Sequence, residues 1–286
     1  MAWSWQLRGC TLTTARPALV MGIVNVTPDS FSDGGSHYAP DLAVAHALEL
    51  VRQGADLLDI GGESSRPGAS SISTEEELRR VLPVVEALAV QTQVVLSVDT
   101  VKAEVAEQVL SAGAHAINDI TAMTGDPAMA GVIARHRAGV VLMHMQGTPQ
   151  TMQVNPTYQD VVQEVCDHLQ TRLQASVDQG IAESQVVLDP GIGFGKTLEH
   201  NLQLLAKIDR LGRLGRPICL GVSRKGFLGK VLGRDVQQRL AGSLAVASYA
   251  ILRHQPLILR VHDVEATCDT VRILETLGER EETPSR

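Results

Sequence analysis

The side chains able to do chemistry recur in one setting: each ends or follows a short apolar run. In chain order they are Asn25, Asp59 with Glu63, Asp99, Asn118-Asp119, His144, Asp189, Ser223-Arg224-Lys225 and Arg260-Val261-His262. A single polar residue in that setting is usually a turn former or a helix cap. A whole series of them is harder to explain so. Acids, amides and cations crowded on one face cost stability unless a ligand or partner pairs them. Two chemistries separate within the series. Asp99, Asn118 and Asp189 offer acceptor oxygens, and a carboxylate can engage two parallel N–H donors. That suits a flat heterocycle with an amidine-like edge. Lys225, Arg260 and His262, with Asn25, suit an anion, phosphate above all. Arg260 alone would equally serve as half of a structural ion pair; Lys225 and His262 beside it favour the anion.

The runs that deliver these residues span 19–26, 57–61, 94–98, 116–120, 139–144, 186–189, 218–222 and 257–261. They are short, rich in Val, Ile and Leu, and alternate only weakly, as parallel strands covered on both faces do. Helical spacing follows over 40–53, 74–89, 102–112, 127–137, 157–179, 198–211, 236–253 and 264–277. Thr74 and Glu77 have the spacing of a capping box. Strand followed by helix, eight times, is the pattern of an α/β (β/α)8 TIM barrel. Such barrels run to about 250 residues, so 286 residues fit a single domain with N-terminal extras. No linker divides residues 1–286, and the polar tail 278–286 is expected to fray. An open doubly wound sheet is the alternative, without its usual G-x-G-x-x-G after the first strand. Active sites of barrels lie at the carboxyl ends of the strands, where the polar series falls, and cations from strands seven and eight match the usual phosphate position there.

Composition narrows the function further. Net charge is −7, which disfavours a broad nucleic-acid or anionic-membrane surface. Three Phe, three Tyr and two Trp exclude a base-stacking platform, and a core built on large rings is not expected. The four cysteines are far apart, as reduced thiols of a cytoplasmic protein are. No secretory signal and no apolar run of membrane length are present. Gly-rich stretches follow strands one, two and six; Lys196 closes the last without a Walker A frame.

Longer motifs carry a resemblance. Met21-Gly-Ile-Val-Asn-Val-Thr-Pro-Asp-Ser-Phe-Ser-Asp-Gly-Gly35 and Gly61-Gly-Glu-Ser-Ser-Arg-Pro-Gly68 resemble the first two signatures of the dihydropteroate synthases. Ser97-Val-Asp-Thr100, Ile117-Asn-Asp-Ile120, Leu142-Met-His-Met-Gln-Gly147, Asp189-Pro-Gly-Ile-Gly-Phe-Gly-Lys196, Gly221-Val-Ser-Arg-Lys225 and Arg260-Val-His-Asp-Val264 continue the resemblance in order, over residues 18 to 275. One departure is Ser65, where the family usually carries Thr; the hydroxyl stays and a methyl is lost.

The resemblance implies a (β/α)8 barrel that joins 6-hydroxymethyl-7,8-dihydropterin diphosphate to p-aminobenzoate, releasing 7,8-dihydropteroate and diphosphate. It implies that Asp99, Asn118, Asp189 and Lys225 line the pterin pocket, with Met143 packed on the ring. Asn25, Arg260 and His262 would hold the diphosphate and its Mg²⁺, Asn25 being the protein ligand. Ser65, Arg66, Pro67, Phe194 and Ser223 would shape the aminobenzoate site, and Asp33 and Phe31 lie on the first loop. Asp33, Lys225, Arg260 and His262 are the expected catalytic set, on an SN1-like path. A homodimer is also implied, and sulfonamide sensitivity is a family property. The apolar stretch 240–252 could supply the interface, or could be an ordinary buried helix.

Two other functions compete. One is the pterin-binding barrel of a folate- and corrinoid-dependent methyltransferase; Phe31-Ser-Asp-Gly-Gly35 and Ser223-Arg-Lys225 argue against it. The other is a non-catalytic paralogue, which should have lost rim charges; none of the matched ones is missing. All three Phe lie in motif loops: Phe31, Phe194 and Phe227. There they would face two flat substrates, although Phe227 could simply anchor its loop.

Overall fold

The structure is a computed structural model and describes residues 3–27, 39–254 and 257–281. Asp33 and Phe31 lie outside the described residues. The chain opens with a hairpin, β1 (Trp3–Leu7) and β2 (Cys10–Thr14). Eight parallel strands follow: β3 (Ala18–Asn25), β4 (Leu57–Gly61), β5 (Val95–Asp99), β6 (Ala116–Asp119), β7 (Gly139–Met143), β8 (Val186–Asp189), β9 (Ile218–Leu220) and β10 (Leu257–Val261). They form a closed barrel in which β10 pairs with both β9 and β3. That closure settles the fold against an open sheet.

The outer helices are α1 (Ala39–Arg52), α2 (Thr74–Gln91), α3 (Ala103–Ala112), α4 (Met129–His136), α5 (Val161–Asp178), α6 (Leu198–Ala206), α7 (Ile208–Gly212), α8 (Gly226–Leu232), α9 (Leu240–Arg253) and α10 (Val264–Glu281). Several differ from the sequence pattern for local reasons. The α2 cap is Ser73, whose Oγ accepts from Glu76 N at 3.2 Å, rather than a Thr74–Glu77 box; Glu77 turns inward instead. The 198–211 segment breaks at Lys207 (φ −118°, ψ 32°) into α6 and α7. A 3₁₀ turn at Val236–Gln238 precedes α9. Helix α10 continues to Glu281, past the start of the polar tail, whose remainder lies outside the described residues. Among the described residues no helix is long and apolar enough to cross a membrane.

Each strand buries both faces. Val20 and Val24 of β3 join the layer between barrel and helices, while Leu19 and Met21 join the barrel interior. That interior also holds Leu57, Val95, Val141, Val187 and Ile258, together with Trp5 and Leu7 from the hairpin. The hairpin therefore plugs the amino-terminal end of the barrel. Trp5 is fully buried and its Nε1 donates to Gln185 O at 2.8 Å. One large ring thus sits in the core after all. The fit is close: a Cβ on Gly139, at the start of β7, would lie 2.5 Å from Leu7 Cδ2.

Candidate active site

At the other end, strand register builds the polar row. Asn25, Gly61, Asp99 and Asn118 are consecutive register partners across β3 to β6, and Met143 pairs with Asp189 across β7 and β8. Above this row lies a cavity of about 770 Å³. Asn25, Ser65, Arg66, Pro67 and Asp99 line one part of it. Phe194, Ser223, Lys225, Arg260 and His262 line the rest. Below, a recess of about 20 Å³ is walled by Asn118, Met143 and Asp189. Ser65, Asp99, Phe194, Lys225 and Arg260 line both spaces. All the expected site residues that the structure describes therefore meet at one mouth. Lys225 Nζ stands 4.3 Å from the Phe194 ring centre, and both residues line the two spaces.

Charge in the site is set by burial. Asp99 is pushed up to about 7 by desolvation, with Asp59 adding to the rise and Arg260 opposing it. Asp189 is raised by burial too, against a hydrogen bond from Gly191 N at 2.7 Å and the nearby cations. Lys225 is pushed down to about 8 by burial, against Asp189 and Asp99.

Two residues of the expected anion corner gain detail here. His262 is not one of the cations: burial, then Arg260 and Arg224, hold its imidazole down to about 4, and its Nδ1 lies 3.1 Å from Ser223 Oγ. It is a neutral hydrogen-bonding group at pH 7. Arg260 makes ion pairs while it faces the cavity. Its Nε donates to Asp59 Oδ2 at 2.6 Å and its Nη2 to Asp99 Oδ2 at 3.0 Å. It is at once an ion-pair partner and part of the cavity wall. Phe227 is 6% exposed, packs into the helix layer and also lines the cavity.

Some functional neighbours escape a reading of strand ends. Asp59, fully buried inside the barrel, takes Asn118 Nδ2 at 2.9 Å as well as Arg260. Its signal was a lone carboxylate inside an apolar run. Lys196 is 3% exposed; its Nζ meets His144 Nδ1 at 2.9 Å and donates to Phe194 O at 2.9 Å. Burial pushes it down to about 7. The loop it closes is an arch that presents Phe194. Gly191 has φ +65° there, and a Cβ would lie 1.9 Å from His144 O. Gly193 N donates to Asn201 Oδ1 at 2.7 Å, and Tyr158 OH to Gly195 O at 2.7 Å.

Comparison with known proteins agrees with this geometry. Residues 21–262 match the family described as pterin binding enzyme. The dihydropteroate synthase of Escherichia coli strain K12 is 46% identical over 275 residues, 96% of each chain. The chain belongs to the dihydropteroate synthases. Among solved dihydropteroate synthases, that of Xanthomonas albilineans with 4-aminobenzoic acid superposes with a TM-score of 0.90 at 48% identity. It covers 98% of this chain and 100% of its own. The same organism's enzyme in complex with 7,8-dihydropteroate gives a TM-score of 0.86 at 46% identity, covering 98% and 100%. Members of the family are transferases, and the mouth described above is where this chain has the groups for such a reaction.

Proposed function

We propose that the pterin of 6-hydroxymethyl-7,8-dihydropterin diphosphate binds on the recess residues where they open into the cavity, and that the rest of the cavity binds its diphosphate and p-aminobenzoate, the products being 7,8-dihydropteroate and diphosphate. The observation that carries this is the donor and acceptor set at the cavity floor, where Asp99, Asn118, Asp189 and Lys225 line the same recess. Buried acceptors of that kind are stabilised by a ligand edge rich in N–H donors. Met143 packs on the ring face. Ser65, Arg66 and Pro67 on the β4–α2 loop, with Phe194 and Ser223, enclose the aminobenzoate.

The chemistry asked of the protein is loss of diphosphate from a CH₂ on an electron-rich ring, followed by attack of the aromatic amine. Arg260, permanently charged, and the His262 imidazole stabilise negative charge as it grows on the leaving oxygen. Asp59 and Asp99 fix the guanidinium in advance, so little reorganisation is left for the reaction. The pterin-methylene cation of an SN1-like path is stabilised by the ring and by Asp33, whose replacement by Ala would lower kcat with little change in pterin affinity. No strong base is required, because the amine becomes acidic as it bonds. The donor set also fits Mg²⁺ arriving with the diphosphate: Asn25 offers one hard amide oxygen on the cavity wall, and this ion takes its other ligands from phosphate and water. When bound it would neutralise leaving-group charge.

The deciding experiment supplies pterin diphosphate and Mg²⁺ with and without p-aminobenzoate and follows diphosphate. Release that requires the amine is expected of a synthase. Binding without release, or release indifferent to the amine, would overturn the assignment.

The working unit we propose is a cytoplasmic homodimer. Free thiols at Cys10, Cys166, Cys219 and Cys268 support the compartment. The adjoining helices α9 and α10 expose Tyr249, Leu252, Ile273 and Leu277, which supports association through that face. Sedimentation showing a monomer at micromolar concentration would refute it.

A further inference from the structure

The β4–α2 loop, residues 62–73, is held at its base by charge. Lys102 stands just before α3, three residues beyond Asp99. Its ammonium reaches Glu63 Oε2 and Glu77 Oε2, each at 2.5 Å. Glu63 is the second residue after β4, and the same Oε2 also accepts from Ile72 N at 3.4 Å. One carboxylate therefore draws both ends of the loop together. Glu77 belongs to the first turn of α2; its side chain is 1% exposed and its Oε1 has no partner. Arg80 Nη1 adds a bond to Gly62 O at 2.9 Å. A Cβ on Gly62 would lie 2.7 Å from Val81 Cγ1, so loop and helix are in close contact there.

A carboxylate as buried as Glu77 is tolerated only while it is paired. Without the ammonium, two like charges face each other in a poorly solvated space. Glu77 is locked in its helix. Glu63, with its side chain 24% exposed, is the one that can turn to water, and the loop moves with it. Asp99, Asn118 and Asp189 would stay in place, because hydrogen-bonded strands carry them.

We propose that Lys102, Glu63 and Glu77 form a positioning triad for the amine substrate. The triad fixes the loop that carries Ser65, Arg66 and Pro67, and so sets amine affinity; Lys102 and Glu77 act from behind the cavity wall, to which Glu63 belongs. This rests on the assignment of that loop to p-aminobenzoate.

The test measures KM for p-aminobenzoate and kcat by steady-state kinetics, and Kd for pterin diphosphate by calorimetry. The variants are Lys102→Met, Lys102→Arg, Glu63→Gln and Arg66→Ala. Misplacement of binding groups by about 1 Å costs up to about a hundredfold. Lys102→Met should therefore raise the amine KM roughly tenfold or more, with pterin Kd within about threefold. Lys102→Arg, which keeps the charge, should recover most of the loss. Glu63→Gln changes only the more exposed acid and guards against a Lys102→Met protein that does not fold; it should raise the amine KM with kcat held. Variants that lower Tm yet leave the amine KM unchanged, or that lose pterin and amine equally, would overturn the triad. Arg66→Ala separates the two levels. An unchanged amine KM in Arg66→Ala removes the amine from this loop. A raised KM there, with Lys102→Met and Glu63→Gln unaffected, defeats the triad alone.

Discussion

The two ends of the barrel interior are built on the same strands and do opposite work. Two residues along a strand separate Leu57 from Asp59, Ala116 from Asn118, Val187 from Asp189 and Ile258 from Arg260. Both members of each pair face inward, because side chains on a strand repeat every second residue. The first member packs into the plug with Trp5 and Leu7; of the second members, Asn118, Asp189 and Arg260 line the polar mouth and Asp59 bonds to Asn118 and Arg260 beneath it. Contacts in the lower layer remove apolar surface from water and stabilise the fold. The upper layer desolvates acids and amines, which raises Asp99 and Asp189 and lowers Lys225. One barrel thus carries stability at one end and a stored electrostatic cost at the other, a single pleat apart.

The comparison breaks most visibly at Trp5. Replacing it with Ala removes a fully buried ring and its bond to Gln185 O. The expected loss is about 3–5 kcal/mol of unfolding free energy, read by chemical denaturation. The folded protein should keep kcat/KM within about twofold, since the plug shares no partner with the mouth. Loss of activity in proportion to stability would show that the two ends are coupled.

Asp189→Ala inverts the pattern. A charge-assisted bond to a ligand is worth about 1.5–3 kcal/mol, so pterin diphosphate should bind on the order of a hundredfold more weakly. Stability should hardly fall, because burial already penalises this carboxylate. Calorimetry showing unchanged affinity would remove Asp189 from the pterin site. A collapse of Tm would make it a structural residue instead.

The contrast between the ends also explains what the sequence made legible. The upper row was visible because Asn25, Asp99, Asn118 and Asp189 sit at or near the ends of apolar runs, where a barrel places its site. Asp59 stood in the same series but drew no role, because it lies within its run and only the inward register with Ser97 shows its direction. The pairing of Arg260 with Asp59 spans 201 residues and has no local signal. The neutrality of His262 depends on burial and on Arg224, both products of folding. At the lower end, nothing in Trp3–Leu7 announces that Trp5 will enter a barrel whose last strand lies some 250 residues away. Helix α8 was missed because Gly226 and Gly229 weaken its helical signal. Patterns of period and punctuation are local, whereas charge state and plug packing are tertiary.

The subtlest test concerns Lys225, which touches the boundary between recess and cavity. Burial pushes its ammonium down to about 8, against the pull of Asp189 and Asp99. An amine with a lowered pKa is charged below that value and neutral above it. The charged form is the one that pairs with Asp189 and can face a pterin or phosphate oxygen. The kcat/KM for pterin diphosphate, which reports the free enzyme, should therefore fall on the alkaline side from pH about 8. Lys225→Arg retains its charge throughout that range and should carry the descending limb to higher pH, at a lower plateau because a planar fork replaces a point charge. Val187→Ala, one pleat below Asp189, should lower stability and leave the limb where it was. If the limb survives Lys225→Arg, the titrating group is a different one. Lys196, pushed down to about 7 beneath the Phe194 arch, then becomes the group to replace.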